Sequence, residues 1–261
     1  MAQAPDRSAR HIVTGAEYVE QINALESDRR ARAAFRDLVL SIARPGATLF
    51  EFGCGTGLDA RFYAERGFRV RAYDVDPAMC AFFSAHCRDM IEAGHVTLES
   101  DPYRDFLTRN RAVSGADGVD LVTSNFAPLN LIDNLRELFA TFHALTAPKG
   151  KVLASVLSPY FLGDLQYRWW WRNLPRLLRD GRYSVAGAQA PIVRRRPADF
   201  AVQSAPYFTL QRVFRGLPER HLQVAGGLQR RGGGRGASLR LSTCRFMFLL
   251  FARHEDNDDA Q

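Results

Sequence analysis

Residues 49–60, LFEFGCGTGLDA, set three glycines, Gly53, Gly55 and Gly57, directly behind an apolar run that holds one acid, Glu51. Glycines in alternate positions strip side chains from the backbone, so its amides can approach a ligand closely. A helix opening just behind such a turn aims further N–H donors at the same place. Two phosphate-binding patterns are excluded. A dinucleotide turn of the G-x-G-x-x-G kind needs glycine where this chain has Leu58, and no Gly-Lys-Ser/Thr follows the turn as a P-loop requires. Metal chemistry is not indicated either, because Cys54, Cys80, Cys87 and Cys244 form no C-x-x-C pair and no zinc-ligand spacing.

Holding such a loop takes a strand before it and a helix behind it, and the chain supplies both in alternation. Apolar residues at three- and four-residue spacing predict a helix over 16–43, stopped by Arg-Pro-Gly. Short β-rich runs at 47–52, 68–74, 95–100, 119–125 and 149–157 read as strands. Helical patterns at 57–67, 77–94, 103–112 and 131–147 lie between them, with Pro77 in a first turn and Gly67 and Gly94 as stops. Strands alternating with helices predict an α/β fold with a doubly wound, mostly parallel sheet. The runs YFTLQRVF and RFMFLLFAR supply two further strands, which makes a seven-stranded sheet. A single domain, 1–261, is expected: an N-terminal helical or lid region over 1–46, a core over 47–157, a helical cap over 158–206 after the fifth strand, and terminal strands over 207–253. The glycine loop then sits at the carboxyl edge of the sheet, where ligands of this architecture bind.

The motifs resemble, in order, those of the class I S-adenosylmethionine-dependent methyltransferases of small-molecule type. LFEFGCGTGLDA is similar to their first motif, an apolar strand, an acid and G-x-G-x-G. VRAYDVDPAM resembles the second strand with its terminal acid, and VTLESDPYRDF the third strand followed by an acid. GVDLVTSNFAPLNLI resembles the fourth strand. LTAPKGKVLASVL resembles the turn before the fifth, with Pro148, Lys149 and Gly150 in place of Pro-Gly-Gly. The resemblance covers roughly residues 17–157 and implies a Rossmann-like methyltransferase fold with S-adenosylmethionine as cofactor. It places Gly53, Gly55 and Gly57 beneath the methionyl and ribose parts, with Glu51 organising the loop and the cofactor's amino end. It puts Asp74 on the ribose hydroxyls, Val75 and Met79 beside the adenine, Asp101 at the adenine amino group and Asn125 beside the reacting end. Asp76 reads as a helix cap and His143 as packing or surface. No catalytic base is assigned. Ser158, Tyr160, His11 and Tyr18 are weak candidates near the expected pocket.

Charge and composition bound the partners. Between residues 159 and 220 eleven arginines face four acids, an excess equal to the whole net charge of +7. That segment includes LQYRWWWRNLPRLLRDGRYS, which fits four readings: a cover over an aromatic or anionic acceptor, a peripheral membrane contact for a lipid-like one, a stacking platform for single-stranded nucleic acid, or plain packing. The GGLQRRGGGRGAS run reads as a solvated loop. No NPPY-type motif follows the fourth strand, against the amino-methylating DNA enzymes, and nucleic acid is the least favoured partner. The longest apolar run, FMFLLFA, is too short to cross a bilayer, and the N-terminus has no apolar core of signal-peptide length, so a cytoplasmic protein is expected. The expected activity is methyl transfer to a small molecule at O, N or C. A cofactor-binding scaffold without turnover and an RNA methyltransferase are the alternatives, and the sequence leaves the oligomeric state open.

Overall fold

The computed structural model describes residues 25–111, 118–187, 190–214, 223–224 and 244–254. The predicted N-terminal helix is described as α1 (Glu26–Ile42), which ends before Arg-Pro-Gly. Then β1 (Thr48–Phe52), α2 (Leu58–Ala64), β2 (Arg69–Tyr73), α3 (Pro77–His86), α4 (Arg88–Glu92), β3 (Val96–Glu99), α5 (Tyr103–Arg111), β4 (Val119–Ser124), α6 (Leu135–Leu145) and β5 (Thr146–Leu157) follow in the expected alternation. These five strands pair in parallel, in the order β3-β2-β1-β4-β5.

The other edge is antiparallel. β10 (Phe246–Arg253) lies beside β5 and β8 (Phe208–Phe214) beside β10, which completes the seven strands; the two-residue β9 (Gln223–Val224) adds to the β8 edge. β10 is buried from Phe246 to Phe251, as a strand covered on both faces must be. Its residues divide by face: Phe248 and Leu250 pack with Phe35 and Val39 of α1, Tyr63 of α2 and Phe83 of α3. Met247, Leu249 and Phe251 pack with Phe106 of α5, Phe139 and Phe142 of α6, and Phe200. Helices thus cover both sides, and the carboxyl ends of β1, β2 and β4 share one edge.

Three local readings need correction. The helix expected over 77–94 breaks at Cys87, whose thiol packs against the Gly57 carbonyl at 3.6 Å. The helix expected from 131 begins after Asn134, which caps Glu137; residues 128–131 form a 3₁₀ turn instead. The segment after β5 is mixed rather than helical. It contains the 3₁₀ turn Leu162–Gln166, α7 (Arg168–Asp180), a hairpin of β6 (Arg182–Val185) and β7 (Ile192–Arg195), and α8 (Pro197–Ser204). The expected Gly/Arg loop, His11 and Tyr18 lie outside the described residues.

Candidate cofactor site and acceptor cavity

The glycine loop hangs from the end of β2. The Tyr73 carbonyl accepts the amides of Gly53 at 2.8 Å and Cys54 at 3.0 Å, after which the chain turns away. All three glycines have positive φ, 72°, 53° and 80°, a region that side chains disfavour. Their open sides differ. A methyl group at Gly53 would lie 2.5 Å from Cγ of Pro128, and one at Gly57 would lie 2.7 Å from the Phe83 ring and 2.8 Å from Cys87 Sγ. These two make room for the protein's own packing. Gly55 instead donates its amide to Oδ2 of Asp74 at 2.7 Å, while Asp76 donates its amide to Oδ1 at 3.0 Å. Burial raises the Asp74 carboxyl, and the amides of Asp76, Gly55 and Val75 oppose that without cancelling it.

Glu51 lies under the same turn. It is buried, and its Oε2 has no hydrogen-bond partner among the described residues. Burial pushes its carboxyl well above the usual range, and the Asp59 charge adds to this. Met79 is half-buried and Val75 exposed beside Asp74. Asp76 caps α3 through the amides of Ala78 and Met79, as expected of it. The Asp101 carboxylate pairs with Arg109, and its carbonyl accepts the Tyr73 hydroxyl at 3.0 Å.

Asn125, at the end of β4, is held by protein on both sides of its amide. Its Nδ2 donates to Asp59 at 3.0 Å and its Oδ1 accepts the Phe126 amide at 2.9 Å. Phe126 and Ala127 then take the left-handed region, φ 60° and 69°, without being glycine. The polar knot around Asp59 is the part that sequence reasoning missed. Arg32 and Arg36 of α1 reach this buried carboxylate at 2.7 and 2.6 Å. Burial would raise Asp59, but the two guanidinium groups outweigh it and hold the carboxyl below its usual range. Two arginines four apart on α1 were the available signal, since that spacing puts both on one helix face.

A cavity of about 800 Å³ opens beyond β5, between the first turn of α1, the Leu162–Gln166 turn, Trp169 and the start of β10. Phe161, Tyr167, Trp169, Phe246 and Phe248 give it aromatic walls, and its charged lining balances Arg30, Arg194 and Arg245 against Glu26, Asp28 and Asp164. Arg194 pairs with Asp164 and lies 5.3 Å over the Trp169 ring. The three tryptophans separate: Trp169 lines the cavity, Trp170 is buried with its indole N–H on the Pro159 carbonyl at 3.1 Å, and Trp171 is 56% exposed. Ser158 is buried as a turn residue, its Oγ accepting the Tyr160 amide at 3.2 Å. His143 packs against Tyr207 and Phe208. No group of side chains suited to a metal ion occurs among the described residues.

The sequence family described as a methyltransferase domain matches residues 25–188, from the start of α1 to just past β6. The chain belongs to the class I S-adenosylmethionine-dependent methyltransferase family. This methyltransferase is 28% identical over 213 residues to the malonyl-[acyl-carrier protein] O-methyltransferase of Serratia marcescens, covering 76% of this chain and 74% of that protein. The enzyme of that name from Pectobacterium atrosepticum is 27% identical over 135 residues, 51% of this chain and 48% of its own length. The chain thus spans about half of one curated relative and three quarters of the other. Among solved structures, the methyltransferase shares its fold with 1,6-didemethyltoxoflavin-N1-methyltransferase of Burkholderia thailandensis, which contains its acceptor and S-adenosylhomocysteine. The TM-score is 0.56, at 18% identity, over 98% of this chain and 94% of that one. No helix among the described residues is long and apolar enough to cross a membrane.

Proposed function

We propose that this methyltransferase passes a methyl group from S-adenosylmethionine to a small-molecule acceptor with an aromatic or acyl body and an anionic group. The observation that carries this reading is the aromatic cavity met by Phe126, the residue after Asn125, whose side-chain amide bonds Asp59 just behind the glycine loop. The Phe126 ring stands edge-on to Phe246 of the cavity wall at 5.4 Å. The acceptors named for the relatives, malonyl-[acyl-carrier protein] and 1,6-didemethyltoxoflavin, span the acyl and the aromatic cases.

The residues present fit the cofactor. Around the loop, the Glu51 oxygen is without a donor among the described residues, and each Asp74 oxygen, bonded to one amide, keeps a second acceptor site. An ammonium group and a vicinal diol are what S-adenosylmethionine offers. In this reading Glu51 takes the amino end, Asp74 the ribose hydroxyls, and Gly55 lets its backbone come close. Val75 and Met79 flank the adenine and Asp101 meets its amino group. Gly53 and Gly57 set the turn by packing, and Asn125 acts by fixing Asp59 and the loop after β4.

The cofactor supplies a methyl already activated as a sulfonium. What the chain must do is hold a nucleophile in line and keep water out. Phe161, Tyr167 and Trp169 exclude water, and Arg245 is the cavity cation without a carboxylate partner among the described residues. No histidine or lysine is among the described lining residues. An acceptor that attacks through an already ionised oxygen or an unprotonated ring nitrogen needs neither. Residues 158–206 serve as the cover of the acceptor site on the single domain. Cys54, Cys80 and Cys87 are buried thiols, which fits a reducing compartment, and we place the enzyme in the cytoplasm.

The test is formation of S-adenosylhomocysteine on incubation with a panel of acyl carboxylates, acyl-carrier thioesters and aromatic acids. Turnover with one class, lowered in KM terms by Arg245→Gln, supports the reading. Cofactor binding without turnover on any acceptor supports a scaffold instead.

A further inference from the structure

We propose that the outer face of α7 docks this protein onto an anionic lipid surface. Residues 171, 175 and 178 fall on one strip of the helix by their four- and three-residue spacing, and they are Trp171, Pro175 and Leu178, all exposed. Arg168, Arg172, Arg176 and Arg179 repeat at the same spacing on the adjoining strip, and all four are exposed as well. The opposite side, with Trp170 and Leu177, faces the protein. α7 is thus amphipathic twice over: one side fixes it to the fold, and the outward side is itself divided into an apolar and a cationic half.

Both outward strips keep most of their surface open, although Trp171 stands edge-on to the buried Trp170 at 4.9 Å. Arg179 pairs with Asp180, whereas Arg168, Arg172 and Arg176 meet no carboxylate within ion-pair distance among the described residues; Arg176 makes a long hydrogen bond to Asn173 at 3.5 Å. Trp171 is anchored by its N–H to the Leu165 carbonyl at 2.8 Å, which fixes the ring while leaving it 56% exposed. Leu162 and Tyr167, exposed just before the helix, extend the apolar strip towards the cavity, whose wall also includes Tyr167. Thirteen residues give a face about 20 Å long.

Tryptophan and leucine beside a row of guanidinium groups suit the boundary between headgroups and acyl chains, where rings insert and arginines meet phosphates. A protein partner would be anchored through a pocket receiving a side chain. This face is the outside of one helix, and of its residues only Trp169, on another side, lines the cavity. The docking stands apart from methyl transfer and is measured without cofactor or acceptor.

The experiment is co-sedimentation of the full chain with vesicles of phosphatidylcholine alone and of phosphatidylcholine mixed equally with phosphatidylglycerol. Binding to the anionic vesicles only is expected. Arg172→Gln with Arg176→Gln should weaken it about 25-fold, at about fivefold per charge. Trp171→Ser with Leu178→Ser should leave binding at low salt and lose it at high salt. Arg69→Gln with Arg88→Gln, exposed elsewhere, should bind as the parent does. Circular dichroism checks that each variant is folded. No binding to anionic vesicles, equal loss in the distant arginine pair, or binding to an acidic carrier protein but to no vesicle would each overturn the proposal.

Discussion

Arg32 meets Asp59 at 2.7 Å, and the same guanidinium lies 4.5 Å over the ring of Phe126. One side chain of α1 therefore touches the start of α2, directly behind the glycine loop, and the residue that borders the acceptor cavity. Arg36 and Asn125 complete the contacts of Asp59, so this carboxylate is buried and paired on both oxygens.

Breaking that knot should be costly. Asp59→Asn leaves two arginines facing an amide, and removing one partner of a buried ion pair typically costs about 3 kcal/mol or more. Thermal unfolding should shift down by roughly 6–12 °C for a chain of this size. The sign with pH follows from the lowered Asp59 carboxyl: its contribution is present above the ordinary carboxylate pKa and is lost as pH falls through the folded value. The difference in melting temperature between parent and Asp59→Asn should therefore shrink on acidification.

Glu51 titrates in the opposite sense. Its carboxyl is raised by burial, so its contribution to the free protein is present at low pH and is lost as pH rises past the ordinary carboxylate range towards the folded value. Pairing with a cofactor ammonium would favour the ionised form, so cofactor affinity should rise with pH across that window and binding should release protons. Calorimetry in buffers of different ionisation enthalpy measures this directly. Glu51→Gln should abolish the proton release.

The glycines should separate in the same way. Gly57→Ala must displace the Phe83 ring or the Cys87 thiol, so its main effect should be a lower melting temperature. Gly55→Val should chiefly remove cofactor binding, with a circular dichroism spectrum near that of the parent. Equal loss of stability in both would mean that Gly55, too, is a packing glycine.

The tryptophans divide the basic aromatic segment into three tasks. Trp170→Ala should cost about 3–5 kcal/mol, since it empties a buried site and strands the Pro159 carbonyl. Trp171→Ala should stay within about 0.5 kcal/mol in stability. Trp169→Ala should raise KM for the acceptor with little change in cofactor affinity. Chemical unfolding and steady-state kinetics distinguish the three.

The parallel half of the sheet was legible because each strand ends in a turn residue and each helix shows its own period. The place of Asp74 beside the glycine turn was legible because an acid ending the second strand of a parallel sheet lies next to the turn that ends the first. The Asp59 knot was not, because it joins residues 32, 36, 59 and 125, and long-range ion pairs leave no local pattern. The three adjacent tryptophans looked like one feature, yet helix geometry turns neighbours about 100° apart and sends each to a different environment. The hairpin after β5 escaped notice because Tyr183, Val193 and the arginines around them alternate over only four residues per strand.

Titration calorimetry of S-adenosylmethionine, and of its demethylated product, into the parent and into Asp74→Ala tests the central claim most directly. The clamp from Gly55 to Asp74 predicts binding by the parent and a loss of about 1.5–3 kcal/mol in the variant, the range for hydrogen bonds to a charged group. Equal affinity in the two proteins, or preference of the parent for NAD, would contradict it.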